Sequence, residues 1–176
     1  MSMQKRIAVI YKSRYGTTKQ YAEWISEALD ARIFESSSIK PSELKEYDIV
    51  IYGGGLYAGG IDGVKLVANV DCKKLVVFTV GLADPTVTDF TSILEKAFKK
   101  EQLLAIKAFH LRGAIVYKKL SLIHKGMMAV VKKEAEKNPV SKRTNDDIIL
   151  LETYGNGVDF MDKSTIMPLV EYVRSL

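Results

Sequence analysis

Residues 6–18 read RIAVIYKSRYGTT, and three kinds of local signal lie side by side in them. Arg6–Tyr11 is a short β-branched, apolar run, the pattern of a strand buried on both faces. Lys12–Lys19 (KSRYGTTK) is polar and contains Gly16, the pattern of a turn. Across Thr18–Leu29 the apolar residues fall at Tyr21, Ala22, Ile25, Ala28 and Leu29, the spacing of one helical face. The same alternation continues outward. Arg32–Glu35 is a weak second strand. Asp48–Tyr52 (DIVIY) is a third apolar run, which enters a glycine-rich loop, Gly53–Gly60 (GGGLYAGG), followed by a helix over Ile61–Val70. Leu75–Thr79 (LVVFT) is a fourth strand that leaves through Val80–Pro85 (VGLADP). Thr86–Lys100 has amphipathic helical spacing, and Lys107–Leu111 is a fifth strand. Strands alternating with helices imply right-handed βαβ units and a parallel sheet covered on both faces. The expected fold is therefore α/β, a three-layer α/β/α sandwich around a five-stranded parallel sheet.

Composition bounds the possibilities. The chain has 176 residues, is 47% apolar and 27% charged, and carries a formal net charge of +5. That is a globular composition at single-domain length, so residues 1–176 are read as one domain. Its one cysteine, Cys72, excludes an intrachain disulfide and a Cys-rich metal cluster. The longest uncharged stretch, Ile49–Ile61, is shorter than the roughly 18–20 residues of a membrane span. Ile7–Tyr11 is too short for the core of a signal peptide. A cytoplasmic protein is expected, without repeats or linkers.

In doubly wound sheets, ligands bind outside the carboxyl ends of the strands. The loops after the first, third and fourth strands are the distinctive ones here. The first reads Ser13-Arg14-Tyr15-Gly16-Thr17-Thr18. Backbone N–H groups at a helix N-terminus, backed by the macrodipole, form an anion site. Ser13, Thr17 and Thr18 add hydroxyl donors, Gly16 permits close approach, and Arg14 can screen a dianionic phosphate. Neither GxxxxGK[ST] nor GxGxxG is present, so an NTPase or dinucleotide reading finds no support. The plainer alternative is a threonine cap with a turn glycine.

A strand, S-x-x-G-x-T and a helix, in that order, resemble the FMN-phosphate loop of flavodoxins. DIVIYGGGLYAGG resembles their second flavin loop and FTVGLADP their third. The chain is thus similar to the flavodoxin-like FMN-binding family, and more closely to the flavodoxin-domain subfamily that includes the bacterial FMN-dependent protoporphyrinogen dehydrogenase. That subfamily also carries a long basic insertion after its fifth strand. The resemblance implies strand order 2-1-3-4-5 and FMN as cofactor. It places the isoalloxazine ring between two groups of residues. One group is Gly53, Gly54, Gly55, Leu56, Tyr57, Ala58 and Gly59; the other is Val80, Gly81, Leu82, Ala83 and Asp84. It makes Gly54 and Gly55 the candidates for a peptide flip that offers a carbonyl to the reduced ring, and Tyr57 the candidate for stacking. The alternative is a glycine-rich turn that merely packs tightly. Val80–Pro85 contains no aromatic residue, which leaves one ring face open to a substrate or quinone. Only Asp62 and Asp84 are acidic near the expected ring, whereas electron-shuttling flavodoxins are strongly acidic.

From Arg112 to Arg143, nine basic residues face Glu134 and Glu136, a local charge of +7. Within this insertion (113–143), Leu120–Glu136 reads as a helix with Leu120, Ile123, Met127, Val130 and Val131 near one face, broadened by Leu122 and Met128. Such a helix suits an anionic membrane surface, a flat apolar or acidic ligand, or plain packing with lysines in solvent. Nucleic acid is not expected, since the segment has one aromatic, Tyr117, and no binding motif. Asp147–Thr153 (DIILLET) reads as a continuation of the strand system. Ser164–Val173 reads as a helix capped by Asp162 or Ser164, with Pro168 in its first turns.

His110 and His124 are far apart in sequence and, with one cysteine, give no metal cluster. His110 reads as a core histidine; His124 is open between surface, acid/base and no role. Trp24 fits helix–sheet packing. The expected function is an FMN-dependent oxidoreductase that passes electrons from an organic substrate, protoporphyrinogen among the candidates, to a quinone or other acceptor. The flavin performs the chemistry, and no catalytic side chain is assigned. Two alternatives stand beside it: a flavodoxin-type electron carrier docking to a redox partner, and a flavin-free interaction domain. Peripheral contact with the inner face of a membrane through 113–143 is a further expectation.

Overall fold

The computed structural model describes residues 5–176. A parallel sheet is built from β1 (Ile7–Lys12), β2 (Arg32–Glu35), β3 (Ile49–Tyr57), β5 (Leu75–Gly81) and β6 (Lys107–Arg112), in the order β2-β1-β3-β5-β6. This is the expected order; the numbering differs because a two-residue strand, β4 (Gly60–Ile61), pairs antiparallel with the end of β3. Side chains alternate across the sheet, as the two-residue repeat of a strand requires. Val9, Ile51, Val76 and Phe78 face α1 (Thr17–Leu29) and α7 (Met167–Ser175) in one core. Ala8, Ile10, Val50, Tyr52 and Val77 face the other core, closed by α2 (Lys65–Ala68), α3 (Thr91–Ala97) and α4 (Lys100–Leu103).

Four stretches differ from their sequence reading. Gly53–Gly55 are not loop: they extend β3 in register between β1 and β5. Glycine is required because a Cβ on Gly53 would lie 2.0 Å from the buried Phe78 ring, and one on Gly54 2.5 Å from Ile61. The turn proper is Ala58–Gly59, both at positive φ (48° and 74°), joining β3 to β4 in a two-residue hairpin. The helix expected over Ile61–Val70 shortens to α2, and that over Thr86–Lys100 to α3 and α4. Asp84 accepts hydrogen bonds from the N–H and hydroxyl of Thr86, and Asp89 accepts one from the N–H of Thr91, so the chain turns twice before helix can start.

The fourth difference is the largest. Asp147–Thr153 belongs to a helix, α6 (Asn145–Thr153), not to a strand. Thr144 and Asp147 exchange reciprocal side-chain to backbone hydrogen bonds at 3.0 and 3.1 Å, a capping box that fixes the helix start. Asp146 and Asp147 in its first turn complement the macrodipole. α6 packs against α5 (Leu122–Lys137), which starts at a Ser121 cap. The chain leaves the body through β7 (Ala114–Ile115) and returns through β8 (Val158–Asp159), and the two pair as a short antiparallel ribbon. The appended unit is thus a two-helix head on a two-stranded stem. Its base is fixed by Tyr21 on α1, whose hydroxyl donates to the Arg112 carbonyl (2.6 Å) and accepts from the Asp162 N–H (3.2 Å). Asp162 caps the turn before α7, and Pro168 lies in the first turn of that helix.

Candidate functional site

The first loop is shaped by its own side chains. Gly16 takes φ 96°, a left-handed conformation, and its N–H donates to Ser13 Oγ at 3.0 Å. The first helical bond of α1 runs from Gln20 N–H to Gly16 C=O, so the amides of Thr17, Thr18 and Lys19 have no intrahelical partner. No side chain caps this end, and no acidic residue lies in its first turn. The result is an uncapped, positively polarised helix terminus edged by the Thr17 and Thr18 hydroxyls, with Thr18 buried.

Arg14 reaches away from that terminus to the next loop. Its guanidinium grips Asp62 through two hydrogen bonds (2.7 and 3.2 Å) and lies 4.3 Å above the Tyr57 ring. The Asp62 carboxylate pushes the Arg14 pKa further up, so the cation is permanent. Asp62 is held from behind, since the buried Tyr52 hydroxyl donates to its carbonyl at 2.6 Å. The third loop is held similarly: Arg112 Nε donates to the Leu82 carbonyl at 3.2 Å, and the Gly113 N–H donates to the Gly81 carbonyl at 2.8 Å.

The three loops meet at the carboxyl edge of the sheet around a cavity of about 480 Å³, within the usual range for small-molecule sites. Thr17 and Thr18 line one end, Gly55, Leu56 and Tyr57 the floor, and Val80, Gly81 and Leu82 one wall. A Cβ on Gly55 would meet only Thr18 Oγ1, at 3.6 Å, so the missing side chain leaves usable space. Arg14, Tyr15, Ala58 and Gly59 complete the rim.

Six residues singled out from sequence do not line the cavity. Ser13 and Gly16 shape the first loop from behind. Gly53 and Gly54 are packed into the sheet. Asp84 is engaged with Thr86, whose hydroxyl holds its carboxyl below the usual range, and Ala83 lies beside it. Gly54 and Gly55 also lack positive φ; Ala58 and Gly59 are the residues in that region.

The opposite wall comes from the appended unit. Ile115, Leu120, His124, Met127, Met128 and Val131 face the loops across the cavity. The Tyr57 hydroxyl meets Met127 Sδ at 3.2 Å, and the His124 ring stands edge-on to Tyr57 with centroids 5.0 Å apart. His124 Nδ1 also pairs with the Tyr15 hydroxyl. The sequence offered a signal for this wall in the methionine-bearing face of the helix, but no signal that the face turns inward. His110 lies elsewhere, stacked on Phe90 with centroids 3.7 Å apart and bonded to Thr79, and burial pushes its pKa down to about 4. Trp24 packs edge-on against Tyr21 on the α1 face of the core.

An FMN-sized ligand fits these features. The uncapped terminus of α1 suits a phosphate, and the space over Gly55 between Tyr57 and the Val80–Leu82 wall suits a flat ring. A flavodoxin domain matches residues 8–142 of the chain. Among solved structures, the chain is similar to a flavodoxin from the domain Archaea (17% identity, covering 96% of this chain and 99% of that one, TM-score 0.46). It is also similar to oxidised flavodoxin 2 from Bacillus cereus (22% identity, 61% and 84% coverage, TM-score 0.44). A third is a flavoprotein in complex with FMN from Lactobacillus acidophilus (15% identity, 61% and 92% coverage, TM-score 0.42). No curated protein matches the chain.

Proposed function

The chain belongs to the flavodoxin-domain family, and from that premise we propose that it is an FMN-binding oxidoreductase acting on a flat, largely apolar organic substrate. Bound FMN supplies the two-electron redox chemistry. The chain's own residues bind and orient. The amides of Thr17, Thr18 and Lys19 receive the phosphate, with the two threonine hydroxyls beside them. Tyr57, held under the Arg14 guanidinium, presents an aromatic surface to the ring. The Ala58–Gly59 peptide, already at positive φ, replaces Gly54–Gly55 as the segment able to turn a carbonyl toward the ring.

One observation favours an enzyme over a pure carrier: the cavity has a roof. An electron carrier needs an exposed ring edge, whereas here α5 lays Met127, Met128 and Val131 over the loops and leaves an apolar slot beneath. Methionine-rich surfaces adapt to flat ligands, and Lys119 at the rim suits an acidic substituent. A protoporphyrinogen-like substrate and a quinone acceptor fit this description, in keeping with the resemblance to the dehydrogenase subfamily.

The outward face of α5 supports a partner of a second kind. Leu122 and Ile123 are 85% and 74% exposed, Val130 further along the helix is exposed too, and the exposed Lys118, Lys125 and Lys133 lie within a few residues of one or another of them in sequence. Exposed apolar residues interspersed with lysines complement an anionic lipid surface. On this reading α5 rests on a membrane, and apolar ligands pass between bilayer and cavity.

The visible spectrum of the purified protein tests the cofactor: flavin bands and about one FMN per chain are expected, and a colourless protein that fails to bind added FMN overturns the reading. Anaerobic reduction by protoporphyrinogen, followed by reoxidation with a quinone, separates enzyme from carrier. Reduction only by a protein donor would favour the carrier.

A further inference from the structure

His124 of α5 lies in the roof of the cavity and meets Tyr15 of the first loop at the rim. Both line the cavity, Nδ1 of His124 pairs with the Tyr15 hydroxyl, and Tyr15 remains 45% exposed. Three separate elements fix the imidazole. Its backbone N–H donates to Ser121 Oγ in the α5 cap (3.3 Å), its ring edge meets Tyr57 of β3, and Tyr15 of the first loop holds its nitrogen. The Ser121 N–H reaches the Tyr15 oxygen at 3.4 Å, so the two ends of the pair are tied to one helix cap.

The other charged groups at this cavity are poor proton acceptors. Arg14 and Asp62 are committed to each other, and the remaining charged side chains, Lys12 and Lys119, carry no acceptor lone pair as ammonium groups. Imidazole is the side chain that gains and loses a proton between pH 5 and 8. Resting on the FMN reading above, we propose that the His124–Tyr15 pair is the proton path between the cavity and solvent. Two-electron reduction of FMN to its anionic reduced form consumes two electrons and one proton. A donor of electrons alone, dithionite in the test below, would supply the electrons. With His124 in its Nε2–H tautomer, Nε2 would give that proton, the Tyr15 O–H would restore one to Nδ1, and solvent would restore the phenol. Reoxidation runs the same transfers in reverse and returns the imidazole to its starting tautomer.

The test uses the FMN-loaded protein and dithionite. Stopped-flow absorbance follows flavin reduction while a pH indicator follows proton uptake. In His124→Ala, proton uptake is expected to slow by about 100-fold, the lower end of general acid–base effects, and added imidazole to restore it. Tyr15→Phe is expected to slow it too, without rescue by imidazole. FMN affinity, measured on each variant, separates a loosened site from a lost proton path. Uptake at the parent rate in both variants overturns the proposal, and so does a slowing in His124→Ala that imidazole leaves unchanged, which marks a packing role. A protein that binds no FMN overturns the functional reading and this inference together. One that binds FMN yet takes up its proton without His124 overturns this inference alone.

Discussion

Gly53 and Gly55 stand two positions apart on one strand, yet the structure gives them opposite duties. Gly53 abuts Phe78 inside the core, and Gly55 faces open space in the cavity. Gly53→Ala is therefore expected to destabilise the fold by about 1–3 kcal/mol through overpacking, read as a lower urea midpoint. Gly55→Val is expected to leave that midpoint nearly unchanged while weakening FMN binding or shifting its potential. If both variants lose stability equally, the division between packing and site fails. His110 makes a second prediction at this scale. Its pKa is about 4 in the fold, against 6.5 when exposed. Between these values the unfolded chain binds a proton that the native one does not, so stability falls as pH drops from 6.5 toward 4. Unfolding measured across that window should show this slope in the parent and lose it in His110→Phe. An identical slope in both would assign the acid sensitivity to other groups.

At the scale of elements, the five parallel strands and α1 could be read directly from residue pattern, because buried β-branched runs and a 3.6-residue stripe report burial locally. The glycine run could not be placed that way. A parallel strand and a loop both tolerate glycine, and the choice here depends on Phe78, twenty-five residues along the chain. DIILLET was read as strand because a short apolar run fits either state; the Thr144–Asp147 capping box was the local sign of a helix. Of the candidate site, the start of α1 was legible in the first loop, because a polar glycine-bearing turn before a helical stripe marks a helix N-terminus locally. The roof was not, since which face of α5 turns inward is set by its packing on α6 and the loops.

That packing yields an element-level prediction. The Phe160 N–H donates to the Gly113 carbonyl at 3.1 Å, so the chain leaves and rejoins the body at adjacent points. Replacing Ala114–Asp159 by a short glycine–serine linker is expected to preserve the parallel sheet and FMN binding, seen by circular dichroism and flavin titration, while turnover with substrate falls. A cut ending at Lys142 is expected to behave worse, because it strands α6 without α5. Loss of the fold in the longer excision would show that the head is part of the core.

For the molecule as a whole, the structural boundary changes the meaning of the charge. The stretch from Arg112 to Arg143 carries +7 alone, but α6 adds Asp146, Asp147 and Glu152. Across residues 114–159, eight basic side chains meet six acidic ones. The head is therefore not a uniform basic patch. Lys132 and Lys137 are paired with Glu136 and Glu134, while Lys118, Lys119 and Lys125, close to Leu122 and Ile123 in sequence, are exposed. Co-sedimentation with vesicles containing anionic lipid should thus depend on the start of α5. Leu122→Asp with Ile123→Asp is expected to abolish binding, high salt to weaken it, and neutral vesicles to bind poorly. Equal binding by parent and variant would remove α5 from the membrane.

The two cores also close at different moments of synthesis. One draws only on residues up to Ile106, so that side of the sheet can be covered early as the chain emerges. The other needs Ile166, Leu169, Val170 and Val173, which arrive only after the entire head. Until then Val9, Ile51 and Val76 depend on α1 for shelter. The nascent protein therefore spends the translation time of the appended unit with one hydrophobic flank incomplete, and a ribosome pausing within that unit would lengthen the interval in which a chaperone must guard it.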